Sequence, residues 1–242
     1  MTGTAFAISD HVGGQWEGYP VMNEKMLIDL SSAGWEIGSH TKTHPTLVNL
    51  PTERLDEELG SSKQRLELLI KKPVTTLSYP YGQFDSKVVL RAKRHYTCAR
   101  ASSWYPPLKL NSSNPKDPMR LNAMTETVKA DTHLPAHLYL TYSPMTVRQI
   151  IHRILQKAKL FQGVSVSANA PDLTAKILAK WIRRMHRNTW LILCLHNIAP
   201  DGTASSPYSV NLNEFREMLK VIASASEEVV TVGHGCRGLK AA

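Results

Sequence analysis

The sequence predicts an α/β fold, a closed or nearly closed (β/α) barrel of parallel strands wrapped by helices. Three observations predict it. Short apolar runs alternate with longer amphipathic segments along most of the chain, the pattern of repeated strand-helix units. The 242 residues are 42% hydrophobic and 20% charged, enough apolar material for a large core and too ordinary a balance for disorder. Polar or turn motifs directly follow several apolar runs, and in parallel barrels the chemistry gathers at the carboxyl ends of the strands.

Taken in order, Thr4 to Ser9 reads as a strand, Asn23 to Ala33 as a helix stopped by Gly34, and Trp35 to Ser39 as the next strand. Thr52 is placed to cap a helix running to about Lys71, with Leu55, Leu59, Leu66 and Leu69 as its buried stripe. Val74 to Ser78 is a strand, Asp85 caps a helix to about Arg94, and Tyr96 to Arg100 is another strand. From Ala101 to about Pro144 the chain is rich in Pro, Asn and Ser, with one short strand at Arg120 to Met124. Thr146 to Lys159 and Asp172 to Arg187 have helical spacing, Gly163 to Ser167 reads as a strand, and Trp190 to Leu195 as a buried one. Asn213 to Ala225 and Val229 to Val232 complete the alternation, and residues 1–242 are expected to form one domain.

Composition excludes several classes. No stretch is apolar for long enough to span a bilayer, and Met1 to Gly14 lacks the basic start and apolar run of a secretory signal. As it stands, the chain is expected to carry no export address. Cys98, Cys194 and Cys236 are odd in number and far apart, which argues against a disulfide framework or a thiolate zinc site, and Cys194 reads as a core thiol. The net charge of +9 is spread along the chain in pairs such as Lys71-Lys72 and Arg183-Arg184. That is a solvated basic surface, compatible with anionic polymers and without any nucleic-acid motif.

Chemistry concentrates in three short motifs. In Gly38-Ser39-His40-Thr41-Lys42-Thr43-His44-Pro45, two histidines stand four apart just after a strand. If the backbone makes one helical turn, both imidazoles face one way and can share a divalent metal, although two ligands alone make a weak site. The competing reading is surface chemistry. Tyr79-Pro80-Tyr81-Gly82 follows the strand ending at Ser78, and His196 follows Trp190 to Leu195. Alone, His196 would be a capped core histidine as readily as a catalytic one; three motifs expected at one rim favour catalysis.

These residues resemble the polysaccharide deacetylase family, carbohydrate esterase family four, whose fold is a distorted barrel of parallel strands. Trp35 to Pro45 is similar to the family's metal-binding motif, Ser78 to Gly82 to the motif walling the active-site groove, and Leu195-His196-Asn197-Ile198 to the motif carrying the catalytic acid. The resemblance runs over nearly the whole chain, most closely from Thr2 to Ala99 and from Trp190 to Val232. The family's Asp-Trp motif in the middle of the chain is not identifiable here, and the sequence departs in two further places. The family's first strand ends in an Asp-Asp pair that this sequence lacks, so the resemblance implies a missing first strand; and Ser78 stands where many members place an arginine.

The resemblance implies a metal-dependent hydrolase removing acetyl groups from N-acetylated or O-acetylated sugars in a polymer or oligosaccharide. Its divalent metal, zinc in the first instance with cobalt or manganese as alternatives, would be held by His40 and His44. Tyr79, Pro80 and Gly82 would line the groove, a backbone N–H near Tyr81 would stabilise the oxyanion, and His196 would protonate the departing amine. Asp10, following the first strand, is the available substitute for the absent carboxylates, against the plainer reading that it opens a loop. Without the Asp-Asp pair turnover is expected to be poor. The alternative is a noncatalytic carbohydrate-binding protein on the same barrel. The particular sugar polymer and the oligomeric state are not legible.

Overall fold

The computed structural model describes residues 2–103, 111–112, 117–125, 174–183, 185, 189–200, 209–225 and 228–238. The expected helix at 146–159 and strand at 163–167 lie outside the described residues. The chain groups into two compact units, one of Met1–Thr125, Lys180–Cys194 and Ile222–Ala242, the other of Glu126–Ala179 and Leu195–Val221.

The first unit is built on a parallel sheet. Its strands in chain order are β1 (Thr4–Ala7), the short pair β2 (Gln15–Trp16) and β3 (Tyr19–Pro20), β4 (Glu36–Ser39), β5 (Thr76–Ser78), β6 (Cys98–Ser103), β7 (Asn111–Ser112), β8 (Leu121–Thr125), β9 (Thr189–Trp190) and β10 (Ile192–Cys194). Six of them form one sheet in the order β1-β4-β5-β6-β8-β10, every neighbouring pair parallel. Strands adjacent in space thus follow one another in sequence, as repeated strand-helix units require. The fold is α/β with a parallel sheet, as the sequence predicts. The run Trp190 to Leu195 is divided: β9 pairs antiparallel with β7, and after Leu191 the chain joins the main sheet as β10.

Helices α1 (Glu24–Ser32), α2 (Thr52–Ile70) and α3 (Ser86–Ala92) cover one sheet face. Asn23 caps α1 by accepting from the Met26 N–H, and Asp85 caps α3 by accepting from Val88. Thr52 is not a cap; it is the first residue of α2, preceded by Pro51, whose fixed φ prepares the entry. Ala7, Ile37, Leu77 and Ala99 from the strands pack with Leu27, Leu55, Leu59, Leu66, Val88 and Val89 from the helices. Alternate residues point the other way, as strand geometry demands, and Phe6, Cys98, Leu121, Ala123, Ile192 and Cys194 form a second apolar cluster with Trp190, Val232 and Cys236. All three cysteines therefore share one cluster, which their spacing hid. A hydrogen bond with Cys236 and burial both push the Cys98 thiol up, so it stays protonated and inert.

Two features of this frame carry predictions. A Cβ on Gly38 would stand 2.6 Å from Phe6 ring carbons and 2.6 Å from Thr76 Oγ1. Gly38→Ala is expected to cost about 1–3 kcal/mol, read from urea unfolding midpoints. Glu67, near the end of α2, accepts from Lys63 Nζ and the Val74 N–H. Burial alone would raise its carboxyl; the two hydrogen bonds and the Lys63 charge outweigh that and hold it below its ordinary 4.5. Its contribution to stability is complete above the unfolded carboxylate's pKa and vanishes as pH falls through the lower folded value. The melting-temperature gap between wild type and Glu67→Gln should be widest near neutrality and close progressively below about pH 4.5; a gap constant with pH would contradict this.

Val229 to Val232 does not form a strand. Thr231 Oγ1 accepts from the His234 N–H, opening a helix at Val232–Gly238, and the N–H groups of Val232 and Gly233 are taken by Thr4 Oγ1 and the Glu36 carboxylate. Ala175–Ile182 and Leu212–Ser224 are helical, and in the second unit Asn197–Ala199 pairs in parallel with Ser209–Asn211. The expected helix at 213–225 is thus present, capped by Asn211, whose side chain accepts from the Glu214 N–H.

Candidate metal centre

His40 lies just beyond the end of β4, where its N–H continues the sheet by donating to the Ala7 carbonyl at 2.8 Å. The segment after it is not a helical turn. Thr41 and His44 both have left-handed backbones, with φ of 69° and 62°, a costly state for a β-branched threonine. The surroundings dictate it. The Thr41 N–H donates to Ser39 Oγ, which shares a hydrogen bond with Ser62 Oγ on α2, and Thr41 Oγ1 accepts from the His44 N–H. Thr43 donates to Glu58 through both N–H and Oγ1, at 2.8 and 2.6 Å, and Lys42 N–H donates to the Glu58 carbonyl. Glu58 is fully buried on α2 and is also paired with Arg54 at 2.9 Å.

This clamp brings the imidazoles together. The two Nε2 atoms are 3.2 Å apart, close to the ~3.3 Å between two nitrogens each about 2.0–2.1 Å from a tetrahedral zinc. His40 Nδ1 lies 2.8 Å from the Ser78 carbonyl. A carbonyl only accepts, so Nδ1 carries the proton and Nε2 presents its lone pair to the shared space, the tautomer that metal-binding histidines adopt. The His44 ring is fixed from two further sides, by Trp16 at 4.8 Å and Tyr81 at 4.7 Å between ring centroids. Trp16 is in turn 4.8 Å from the His11 ring. Tyr81 reaches His44 from a tight turn in which its own φ is 56°.

The donor set fits a divalent cation as two imidazoles of a larger set; among the described residues no cluster of three or more His, Cys, Asp or Glu side chains forms. Asp10 is at the same rim, its N–H donating to the Lys42 carbonyl. Its carboxylate, however, lies 3.6 Å from Arg65 on α2.

Residues 1–97 match the sequence profile described as Polysaccharide deacetylase. Over this amino-terminal segment the chain is similar to the polysaccharide deacetylase family. The match takes in the His40/His44 motif and the Tyr79 to Gly82 turn and ends before the Leu195 to Ile198 motif. Among curated proteins, YxkH of Bacillus subtilis, named for polysaccharide deacetylase, is 24% identical over 94 residues, 39% of this chain and 32% of that protein. Among solved structures, the polysaccharide deacetylase BC0361 from Bacillus cereus is 27% identical, with 49% of this chain and 35% of that one covered and a TM-score of 0.42. BA3943 from Bacillus anthracis, a pseudoenzyme of the same family, is 12% identical, with 87% and 50% covered and a TM-score of 0.44. The chain thus spans about a third of the length of YxkH and BC0361.

Within the matched segment, Tyr79 departs from its expected place in the groove. It is 1% exposed, its ring 4.8 Å from Phe84 in the helix-facing core, because it continues the alternation of Leu77 on β5. Burial pushes its hydroxyl up. Pro80 is buried as well, while Tyr81 is partly exposed and Gly82, with φ of 64°, closes the turn. His196 is exposed in the second unit, beside Asn197, whose side-chain amide donates to Ser209 Oγ. Three residues escaped the sequence reading although signals existed. Glu58 and Ser62 occupy α2's apolar stripe between Leu55 and Leu66, and polar side chains on a buried face announce partners. Trp16 sits before Glu17-Gly18, a two-residue hairpin turn with both φ positive.

Proposed function

We propose that the chain is a metal-dependent hydrolase of the polysaccharide deacetylase type, removing acetyl groups from N-acetylated or O-acetylated sugars, with residues 1–242 acting as one catalytic domain. The observation that carries this reading is the 3.2 Å approach of the His40 and His44 Nε2 atoms, with His40 Nδ1 held on the Ser78 carbonyl. His40 and His44 would hold a divalent cation, zinc first and cobalt or manganese as alternatives. Such a cation supplies Lewis-acid activation of water and of the acetyl carbonyl. The remaining work belongs to the chain. The Tyr81 turn would offer a backbone N–H to the carbonyl oxygen as charge builds on it, and Gly82, without a side chain, would keep that approach open. His196 would give its proton to the leaving amine.

A noncatalytic carbohydrate-binding protein is the second reading, favoured by the lack of a third ligand beside the pair among the described residues. The two separate in one experiment, in which the zinc- or cobalt-loaded chain is offered chitooligosaccharides and acetylated xylan while acetate release and sugar binding are both followed. Slow, cation-dependent acetate release supports the hydrolase. Sugar binding without release supports the second reading, and failure to bind a cation removes the first.

A further inference from the structure

We infer that Cys98 and Cys236 are an oxidative modification site, a thiol pair that a small disulfide converts into an intramolecular disulfide. Cys98 opens β6 and is fully buried, whereas Cys236, in the helix Val232–Gly238, is partly exposed. Both lie in the apolar cluster on the sheet face turned away from α1, α2 and α3, where the two side chains share a hydrogen bond. Sulfurs already in contact need only small side-chain rotations to bond.

The rest of the fold fixes this approach. The helix bearing Cys236 is pinned at its start, where the Val232 N–H donates to Thr4 Oγ1 on β1 and the Gly233 N–H to the Glu36 carboxylate on β4, both at 2.8 Å. A Cβ on Gly235 would stand 2.6 Å from the Trp190 ring, so the bare backbone there lets the helix settle against it. Val232 and Cys236, one helical turn apart, share a face and both enter the cluster. Cys194 is the other thiol in that cluster, on β10, but β8 lies between β10 and β6. Two strand spacings hold its backbone about 9–10 Å from that of Cys98, beyond the roughly 7 Å that a disulfide spans between α-carbons.

Exposure sets the order of events. The Cys236 thiolate attacks one sulfur of the reagent, forming a mixed disulfide and releasing the first small thiolate. Cys98, kept protonated by its hydrogen bond with Cys236 and by burial, meets no reagent in solution; the mixed disulfide brings the electrophilic sulfur to it. Its sulfur then bonds to that of Cys236 as the second small thiol departs with the Cys98 proton. Two protein thiols thus lose two electrons, and one small disulfide gains them. Burial makes the second step slow, on the scale of minutes to hours. Neither sulfur takes part in the proposed hydrolysis, so the pair stands or falls apart from the deacetylase reading.

The full chain, freed of metal with a chelator, is incubated in native buffer with reduced and oxidised glutathione at a series of ratios. Samples are quenched with N-ethylmaleimide and mapped by mass spectrometry without reduction. The oxidised protein should yield a peptide pair joining Cys98 to Cys236 with Cys194 alkylated, and dithiothreitol should restore all three free thiols. Cys98→Ala should stop at a glutathione adduct on Cys236. Should that core variant fail to fold, Cys236→Ser, changed at a partly exposed position, should form neither adduct nor crosslink at Cys98. Three alkylated thiols at the most oxidising ratio, a bond to Cys194, a wild-type adduct on Cys236 that never resolves, a crosslink that forms only in denaturant, or glutathione on Cys98 in Cys236→Ser overturns the proposal.

Discussion

His40→Ala is expected to lower the affinity for zinc or cobalt by about 100-fold or more. Losing a second-shell partner alone commonly costs about 10–100-fold, and here one of two facing imidazoles is removed, together with the Nδ1 proton that holds it on Ser78. What remains is His44 alone between Trp16 and Tyr81, an isolated imidazole with little more hold on a cation than histidine in solution. Titration calorimetry with either metal measures the loss, and far-ultraviolet dichroism confirms that the fold survives. An unchanged affinity would place the bound cation elsewhere. His40→Gln, which keeps a polar group near the Ser78 carbonyl, should lose nearly as much affinity, because the amide cannot replace the nitrogen lone pair.

Glu58→Ala should produce the largest loss of stability among polar substitutions, about 3 kcal/mol. The buried carboxylate accepts from the Thr43 N–H and hydroxyl and from Arg54, and its removal strands the first two in the loop between two left-handed residues, Thr41 and His44. Arg54 is 42% exposed and can return to water, so most of the cost falls on Thr43. Urea unfolding reads the stability, and metal titration of the folded fraction reads the second consequence: the loop relaxes, the imidazoles separate, and affinity falls. Glu58→Gln should be milder, since one amide oxygen still accepts. Stability unchanged in Glu58→Ala would mean that the loop holds its shape by itself.

Much of the first hundred residues was legible because local signals and burial agree there. The strands at β1, β4 and β5, the helix α1, the Asp85 cap and the Leu55, Leu59, Leu66 stripe all lie where spacing predicts them. The imidazole pair was legible as a pair but not in its geometry. A four-residue spacing suggests a helical turn, whereas the rings converge through strained residues flanking Thr43, which is held by Glu58 on another element. Tyr79 was misplaced because a motif shows which residues cluster, not which face of β5 each one takes. Val229 to Val232 looked like a strand by composition, and the Thr231 cap decided otherwise. The thiol pair was hidden for the opposite reason: Cys98 and Cys236 stand far apart in sequence, and only the pinning of the last described helix on β1 and β4 brings them together.

The two imidazoles are moored to different parts of the fold, His40 to β5 through the Ser78 carbonyl and His44 to α2 through Thr41, Thr43 and their partners. Anything gripping both rings therefore rivets a helix to a sheet. Amide exchange along the first turns of α2 should slow when a cation is added, far from any coordinating atom, and the interval between saturating and absent metal would gauge how tightly the loop couples those two layers.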